Sequence, residues 1–204
     1  MDIIETITHI PYDVLRRAIK MEYALVAHNP HKGYHFHTGR DALTRIGYDP
    51  DLYNSLPEEN ISSFAGTGNP FSLGPIHQGD VVIDVGSGAG FDSLIASRLV
   101  GPQGRVVGID MTEAMIEKAQ AGAKSVGAKN VEFLRGLADD LPLSEDFADV
   151  VISNGVLNLT PDKSKTLKEW ARVLKPGGRL FIGDIVIEKP MSPEALNDIS
   201  LWTG

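Results

Sequence analysis

Cysteine is absent from the 204 residues of this chain. Its absence excludes disulfide bonds, thiolate metal sites and cysteine nucleophiles within the sequence. Chains without cysteine are typical of reducing compartments, so we predict a cytoplasmic location.

Long apolar segments are also absent. No run approaches the roughly 20 residues that a membrane-spanning helix needs. The first residues include Asp2 and Glu5, where a signal peptide would have basic and then apolar residues. We therefore predict no signal peptide and no membrane partner.

Positive charge is scarce relative to negative charge. The chain has 19 Lys and Arg against 27 Asp and Glu, a formal net charge of −8. Because phosphate backbones are bound by clustered Lys and Arg, this balance argues against a nucleic-acid partner. The length and the hydrophobic fraction of 42% are ordinary for one globular domain with a small appendage.

The most informative stretch begins with a predicted strand, residues 81–85, which is apolar apart from Asp84 and therefore typical of a buried parallel strand. A loop with glycine at alternate positions follows it: Gly86, Gly88 and Gly90. Without β-carbons, such a loop can turn tightly and lie against a ligand. The apolar residues after it fit one face of a helix, whose free amide groups would point back at the glycines.

The next predicted strand, residues 105–109, is followed by Asp110. A carboxylate at that place can accept hydrogen bonds from both hydroxyls of a ribose. Dinucleotide-binding loops have the spacing Gly-x-Gly-x-x-Gly, whose third glycine lets helix and strand pack closely. Phe91 occupies that third position, so a nicotinamide dehydrogenase is disfavoured. A structural turn in an unrelated α/β protein is a further alternative.

Strands and helices alternate through the rest of the chain. Further strands are predicted at residues 131–134, 148–153 and 179–187, and the alternation predicts an α/β fold with a doubly wound, mainly parallel sheet. Ligands of such sheets bind beyond the carboxyl ends of the strands, where the glycine loop, Asp110, the region of Leu137 and Asn154 all fall.

Two helices are predicted between these strands. The first begins after Thr112 as N-cap, and the second begins at Pro161 with Thr160 as N-cap. The second is predicted to bury four residues: Leu167, Trp170, Ala171 and Leu174.

Residues 1–75 are predicted to form a helical extension or lid, and residues 76–204 the ligand-binding core. Helices are expected at residues 12–27, 40–46 and 57–65. The first of them has one apolar stripe at helical spacing: Val14, Ala18, Met21 and Leu25.

Two loops of the extension are candidate parts of a site. Four of the six histidines lie close together: His28, His31, His35 and His37. Imidazole is a common metal ligand, but the spacing fixes no further ligand, so we predict no metal and favour a lid or substrate-facing loop. The glycine-rich segment 66–71 is either a connector or a loop that covers the ligand, and Asn69 within it is a candidate substrate residue.

Five segments carry a family resemblance. They are Phe-Ala-Gly-Thr-Gly-Asn-Pro (64–70), Asp-Val-Gly-Ser-Gly-Ala-Gly-Phe-Asp (84–92), Gly-Ile-Asp-Met-Thr (108–112), Ile-Ser-Asn-Gly-Val-Leu-Asn-Leu-Thr-Pro-Asp-Lys (152–163) and Leu-Lys-Pro-Gly-Gly-Arg-Leu (174–180). The second and fifth resemble the class I S-adenosylmethionine-dependent methyltransferases in general. The first and fourth resemble their arsenite methyltransferase-like branch.

The resemblance implies a Rossmann-like methyltransferase fold, S-adenosylmethionine as cofactor and a small-molecule acceptor. The glycines would line the methionine part, Asp110 would hold the ribose, Met111 would pack on the adenine, and Asn154 would lie near the methionine end. The full set of expected cofactor-binding residues is Asp84, Gly86, Ser87, Gly88, Gly90, Asp110, Met111, Ala138, Asp139 and Asn154.

The chain departs from the family pattern in three ways. The metalloid-binding cysteines of the family fall at Thr67 and Gly155, and a hydroxyl replaces a thiolate poorly, so arsenite is not the expected acceptor. Gly155 remains a candidate substrate residue. Leu137 stands where an acidic residue is usual, so adenine recognition would rely on Ala138 or Asp139.

The third departure concerns the C-terminal strands of the family's seven-stranded sheet, which are missing from this sequence. We predict a shortened form of a longer family chain, or a homodimer that covers the exposed sheet edge.

Methyl transfer needs a dedicated base only if the acceptor must lose a proton. His35, His37 and Asp184 are candidates, and spacing places none of them, so the catalytic residues stay unknown. The sequence supports methyl transfer to a small molecule other than arsenite, and the alternative is a cofactor-binding protein without turnover.

Overall fold

The computed structural model describes residues 10–188 and 192–203. Within them the chain forms one five-stranded parallel sheet in the order β3-β2-β1-β4-β5. The strands are β1 (Val81–Val85), β2 (Arg105–Asp110), β3 (Val131–Arg135), β4 (Ala148–Asn154) and β5 (Leu174–Gly183). The predicted doubly wound α/β fold is confirmed.

Eight helices occur in the described residues. They are α1 (Tyr12–His28), α2 (Gly39–Ile46), α3 (Pro50–Tyr53), α4 (Glu58–Ser62), α5 (Phe91–Val100), α6 (Glu113–Ser125), α7 (Lys163–Val173) and α8 (Pro193–Leu196). No helix in the described parts of the chain is long and apolar enough to cross a membrane. The prediction about a signal peptide concerns residues 1–9, which lie outside the described residues.

Alternate residues of the central strand enter two different apolar layers. Val82 packs in a cluster with Ala96 and Val100 of α5, whereas Ile83 packs in a cluster with Trp170 of α7. Because side chains alternate along a strand, helices cover both faces of β1 and the strand is fully buried.

The strand order reverses at β1, which lies between β2 and β4. The chain direction is the same in all three strands, so Val85, Asp110 and Asn154 lie at one edge of the sheet. A crevice at this switch point is where open α/β sheets bind ligands. The fold therefore brings the predicted site residues to one edge.

The apolar face predicted for α1 is wrong, because it lies about one residue away from the face that is buried. Its buried residues are Leu15, Ile19, Val26 and Ala27. Met21 and Leu25 are exposed. Apolar residues occur on several sides of this helix, so spacing alone did not identify the face that packs against α6 and against Trp202.

The predicted start of α7 is wrong, and of its predicted inner face Trp170 is confirmed. Asp162, not Thr160, caps the helix, and its side chain accepts a hydrogen bond from the Lys165 amide at 2.8 Å. The Thr160 hydroxyl is already donated to the Leu157 carbonyl at 2.8 Å. The buried residues of α7 are Thr166, Trp170 and Val173. Leu167 and Ala171 are exposed.

The last strand begins and ends earlier than predicted. β5 starts at Leu174 and has a register irregularity opposite residues 148–150. After Gly183 the chain leaves the sheet, and the Asp184 carboxylate accepts a hydrogen bond from the Leu157 amide at 2.8 Å. Val186, predicted to lie in the strand, is 81% exposed.

The remaining helix predictions differ mainly in extent. The predicted helix at residues 40–46 is confirmed, whereas that at residues 57–65 shrinks to α4. α3 was not predicted. Ser192 is the N-cap of α8, and its side chain accepts a hydrogen bond from the Ala195 amide at 3.3 Å.

Candidate active site

A pocket lies at the edge of the sheet where β1, β2 and β4 end. Residues of α1, of the segment after α4 and of the loops after β3 and β4 complete its wall. The pocket therefore has a floor from the predicted core and a cover from the N-terminal extension.

The loop after β1 has the backbone shape that its glycines permit. Gly86 has a φ of +73°, and a β-carbon there would overlap the Val156 side chain. Gly88 has a φ of +51°, and a β-carbon there would meet nothing within 4 Å. The amides of Gly86 and Ser87 both donate to the Ile109 carbonyl, at 2.7 and 3.0 Å. The loop is thus fixed to β2 and open at Gly88.

Asp110, the last residue of β2, fixes the same loop with its side chain. One carboxylate oxygen accepts from the Gly88 amide at 2.9 Å, and the other accepts from the Thr112 amide at 2.8 Å. Burial raises the pKa of this carboxyl, although the two amides act in the opposite direction. Each oxygen keeps a lone pair for a ligand hydroxyl.

Two buried carboxylates, Asp84 and Asp92, precede and follow the glycine loop in the sequence. Asp84 is 2% exposed and accepts a hydrogen bond from the Ser93 hydroxyl at 2.6 Å. The Asp92 carboxylate accepts hydrogen bonds from the Tyr48 hydroxyl at 2.7 Å and from the side-chain Nδ2 group of Asn154 at 3.0 Å. Burial raises the pKa of both carboxyls, and the charge of Asp92 raises that of Asp84 further.

Helix α1 covers the pocket on the side of β2 and β3. Its Arg16 forms an ion pair with Asp139 at 2.7 Å, and Lys165 reaches the same carboxylate at 3.0 Å. Tyr23 of α1 also lines the pocket, and burial raises the pKa of its hydroxyl well above the usual range. The extension therefore contributes charged and aromatic side chains to the site.

The structure brings most of the predicted cofactor residues together. Those that line the pocket are Asp84, Gly86, Ser87, Gly88, Asp110, Met111, Ala138, Asp139 and Asn154. Gly90 does not line it, because a β-carbon there would point at Phe133 and Ala119 in the interior. Of the two candidate substrate residues, Gly155 lines the pocket, whereas Asn69 caps a turn by accepting from the Phe71 amide at 3.1 Å.

The three candidate bases lie outside the pocket lining. His37 pairs with Asp41 at 2.8 Å on the surface, and Asp184 is engaged by the Leu157 amide. His35 packs edge-on against Phe36. No group of three or more potential metal ligands occurs in residues 10–188 and 192–203, where all four clustered histidines lie.

Several pocket residues of the extension were missed by sequence reasoning, among them Arg16, Tyr23 and Asn60. Asn60 is fully buried, and its side-chain amide group donates to the Ala89 carbonyl at 2.5 Å. Among the residues that the structure describes, its Oδ1 atom and the buried Ser87 hydroxyl have no hydrogen-bond partner. No sequence signal marked Asn60, because the predicted helix at residues 57–65 contains several other polar residues.

Comparisons with known proteins agree with this geometry. The sequence profile of a family described as "Methyltransferase domain" matches residues 76–202. An arsenite methyltransferase of Halobacterium salinarum is 41% identical over 160 residues, which cover 78% of this chain and 41% of that protein. A demethylmenaquinone methyltransferase of Lactococcus lactis is 44% identical over 99 residues, which cover 48% of this chain and 39% of that protein.

Among solved structures, an arsenic(III) S-adenosylmethionine methyltransferase from Chlamydomonas reinhardtii is similar, with a TM-score of 0.60 and 33% identity. The match covers 76% of this chain and 51% of that one. The matched region thus spans about two fifths to one half of the length of these relatives. With its site at the switch point of a parallel sheet and its profile match over more than half of its length, the chain belongs to the methyltransferase-domain family, and the arsenite methyltransferases are among the proteins to which it is similar.

Proposed function

We propose that this chain binds S-adenosylmethionine and transfers its methyl group to a small-molecule acceptor. The observation that carries the proposal is the contact between Asp110 and the open glycine loop at Gly88. It places two carboxylate oxygens beside an open glycine position of the loop, at the strand ends where a nucleoside can bind. Family membership agrees with this reading.

The residues present fit this cofactor. Within residues 10–188 and 192–203 the Ser87 hydroxyl of the glycine loop is a buried polar group without a partner, and a polar ligand could satisfy it. Gly88 leaves space for a ligand against the backbone. In this proposal Asp110 holds the ribose hydroxyls, and Met111 and Ala138 lie at the adenine.

The charge of the pocket also suits a cation. Its acidic and basic lining residues are Asp84, Asp92, Asp110, Asp139 and Arg16, of which Asp84 is mostly neutral near pH 7 because burial raises its pKa to about 8. S-adenosylmethionine carries a sulfonium and an ammonium against one carboxylate, so an acidic pocket attracts it.

The bound cofactor would supply a methyl group on a positively charged sulfur, which is already an activated leaving group. The protein then has to align the acceptor and keep water out. In this proposal helix α1 keeps water out of the pocket, because its Tyr23 and Arg16 form part of the pocket wall. We assign no base, since the candidates lie outside the lining.

We further propose that the acceptor is not arsenite. Thr67 and Gly155 are adjacent, because a β-carbon on Gly155 would lie 3.4 Å from the Thr67 hydroxyl. The family resemblance implies metalloid-binding cysteines at these two positions, and here neither residue offers a thiolate. Relatives of this chain differ in acceptor by name, from arsenite to demethylmenaquinone.

Calorimetric titration of the 204-residue chain tests the cofactor. S-adenosylmethionine should bind and NAD should not; binding of NAD alone would overturn the proposal. A screen with labelled cofactor over small thiols, amines and hydroxy-aromatics should then identify an acceptor. Methylated arsenic above a no-enzyme control would overturn the exclusion of arsenite.

The organisation of the chain is part of the proposal. Residues 1–75 act as a lid over a core at residues 76–204. The outer side of β5 has no neighbouring strand in the described residues, and a homodimer could cover it. Light scattering tests this: a twofold mass supports the dimer, and a monomer excludes it.

A further inference from the structure

The side chain of Asn154, at the end of β4, pairs with the backbone of a distant loop. Its Oδ1 atom accepts hydrogen bonds from the amides of Thr67 and Gly68, at 2.8 and 2.9 Å. Its Nδ2 group donates to the Gly68 carbonyl at 2.7 Å. The carboxamide thus both accepts hydrogen bonds from and donates one to the backbone of residues 67–68, as a peptide group in a neighbouring strand does.

Two buried side chains orient this carboxamide. Its Nδ2 atom lies 3.0 Å from Asp92 Oδ2 and 3.1 Å from the Tyr48 hydroxyl, which itself donates to Asp92 at 2.7 Å. Tyr48 and Asp92 are 4% and 6% exposed. An ionised carboxylate only accepts hydrogen bonds, so Asp92 fixes the amino end of Asn154 toward itself and the oxygen toward the loop.

The loop is also held by close backbone approach. A β-carbon on Gly66 would lie 2.5 Å from the Asn154 carboxamide, and one on Gly68 would lie 2.7 Å from the Cα atom of Gly183. Residues 66–68 are therefore pressed between Asn154 and the end of β5. Glycine is needed at both positions because any side chain would push the loop away.

This arrangement lies on the far side of the glycine loop from Asp110. Asp110 ends β2 and Asn154 ends β4, and β1 separates the two strands. Gly66 and Gly155 line the pocket at this end. If the ribose lies at Asp110, the methyl group points toward the wall that residues 66–68 form.

We propose that Tyr48, Asp92 and Asn154 are positioning residues, a loop clamp that holds residues 66–68 as the acceptor-side wall of the methyl-transfer site. The clamp acts through the loop and not by contact with the cofactor, because the polar atoms of Asn154 are all engaged. This inference rests on the proposed function for the nature of the site, but the clamp itself can be tested without turnover.

Amide hydrogen exchange at Thr67 and Gly68 is the direct measurement. Asn154→Ala should accelerate it by at least about tenfold, because both amides lose their acceptor. Tyr48→Phe keeps the ring and should give a smaller acceleration, since Asp92 still orients Asn154. Ser97→Ala, which deletes a buried hydroxyl on α5, is the matched control and should leave both amides unchanged.

Cofactor affinity separates this role from direct binding. Asn154→Ala should change S-adenosylmethionine affinity by less than about threefold, while raising the KM for an acceptor found in the screen. A loss of affinity comparable to that of Asp110→Ala would overturn the proposal and make Asn154 a cofactor ligand. Unchanged exchange at Thr67 and Gly68 in folded Asn154→Ala would overturn it too. A wild-type chain that binds no S-adenosylmethionine would overturn the proposed function, while the exchange result would still decide the clamp.

Discussion

The two ends of the pocket are built in different ways. At the β2 end, the Asp110 carboxylate is bound by the amides of Gly88 and Thr112, which lie within 22 residues of it in the chain. At the β4 end, the contacts of Asn154 reach back 62 to 106 residues, to Asp92, the 66–68 loop and Tyr48. One end is local and made mostly of backbone, and the other joins separate segments through side chains.

This difference determines which substitutions disrupt each end of the pocket. A backbone loop with positive φ values tolerates little change in its glycines, because strain and overlap arise at once. A side-chain network around a buried carboxylate depends on each partner, because an unsatisfied polar group in the interior costs about 1–3 kcal/mol. At the β4 end, the side chains of Asn154 and Asp92 in the core therefore depend on Tyr48 and the 66–68 loop of the extension.

The largest effect is expected where the two ends meet, at Gly86 and Val156. Gly86→Ala places a β-carbon into the Val156 side chain and imposes a left-handed conformation on alanine. Together these should lower the free energy of unfolding by about 2–4 kcal/mol. Urea denaturation of the purified variant measures the change.

Two further variants separate the causes. Gly86→Ala combined with Val156→Ala should recover the part that comes from overlap. Gly88→Ala has the same kind of backbone but no neighbour within 4 Å, so it should lose only about 1 kcal/mol. Equal losses for Gly86→Ala and Gly88→Ala would show that overlap with Val156 plays no part.

The next largest effect is expected on cofactor affinity, from a substitution at the β2 end of the pocket. Asp110→Ala removes both oxygens proposed to hold the ribose, and charge-assisted hydrogen bonds contribute roughly 1.5–3 kcal/mol each. S-adenosylmethionine should therefore bind at least about tenfold more weakly by calorimetry. Unchanged affinity in a folded variant would contradict the role proposed for Asp110.

The same contrast explains what the sequence could predict. The strand, glycine loop and Asp110 were predictable because each follows the last within about 30 residues and their chemistry depends on local backbone shape. Arg16, Tyr48 and Asn60 were not, because their partners are set by how the extension folds over the core. Helices α1 and α7 were recognised, but their buried faces were misplaced, since spacing does not show which of several apolar sides meets the sheet.

A smaller effect is expected in the dependence of stability on pH. Burial raises the pKa of Asp84 to about 8, against an ordinary value of about 3.9 in the unfolded chain. Between these values the folded state holds more protons than the unfolded state, so the free energy of unfolding should fall as pH rises from about 4 to about 8. Asp92, whose pKa is also raised, acts in the same direction.

Asp84→Asn removes the main contribution. Its urea midpoint should change less between pH 5.5 and pH 8 than that of the wild type, because asparagine keeps an acceptor for the Ser93 hydroxyl and does not titrate. Equal pH dependence in the two proteins would contradict the assignment of the slope to Asp84.

The smallest effects on stability are expected for substitutions of two adjacent arginines of α1, and the two substitutions should differ. Arg16 pairs with Asp139, whose side chain is 9% exposed, and so links the extension to the β2 side of the pocket. Arg17 pairs with Asp13 one turn away, and both side chains are 71% exposed. Arg16→Ala should destabilise the fold by about 1 kcal/mol, with Lys165 still bound to Asp139. Arg17→Ala should stay within about 0.5 kcal/mol, because exposed pairs on a helix contribute little. If urea denaturation gave the two variants the same stability, α1 would not be held to the core by its ion pair, and apolar packing of Leu15 and Ile19 alone would fix the lid.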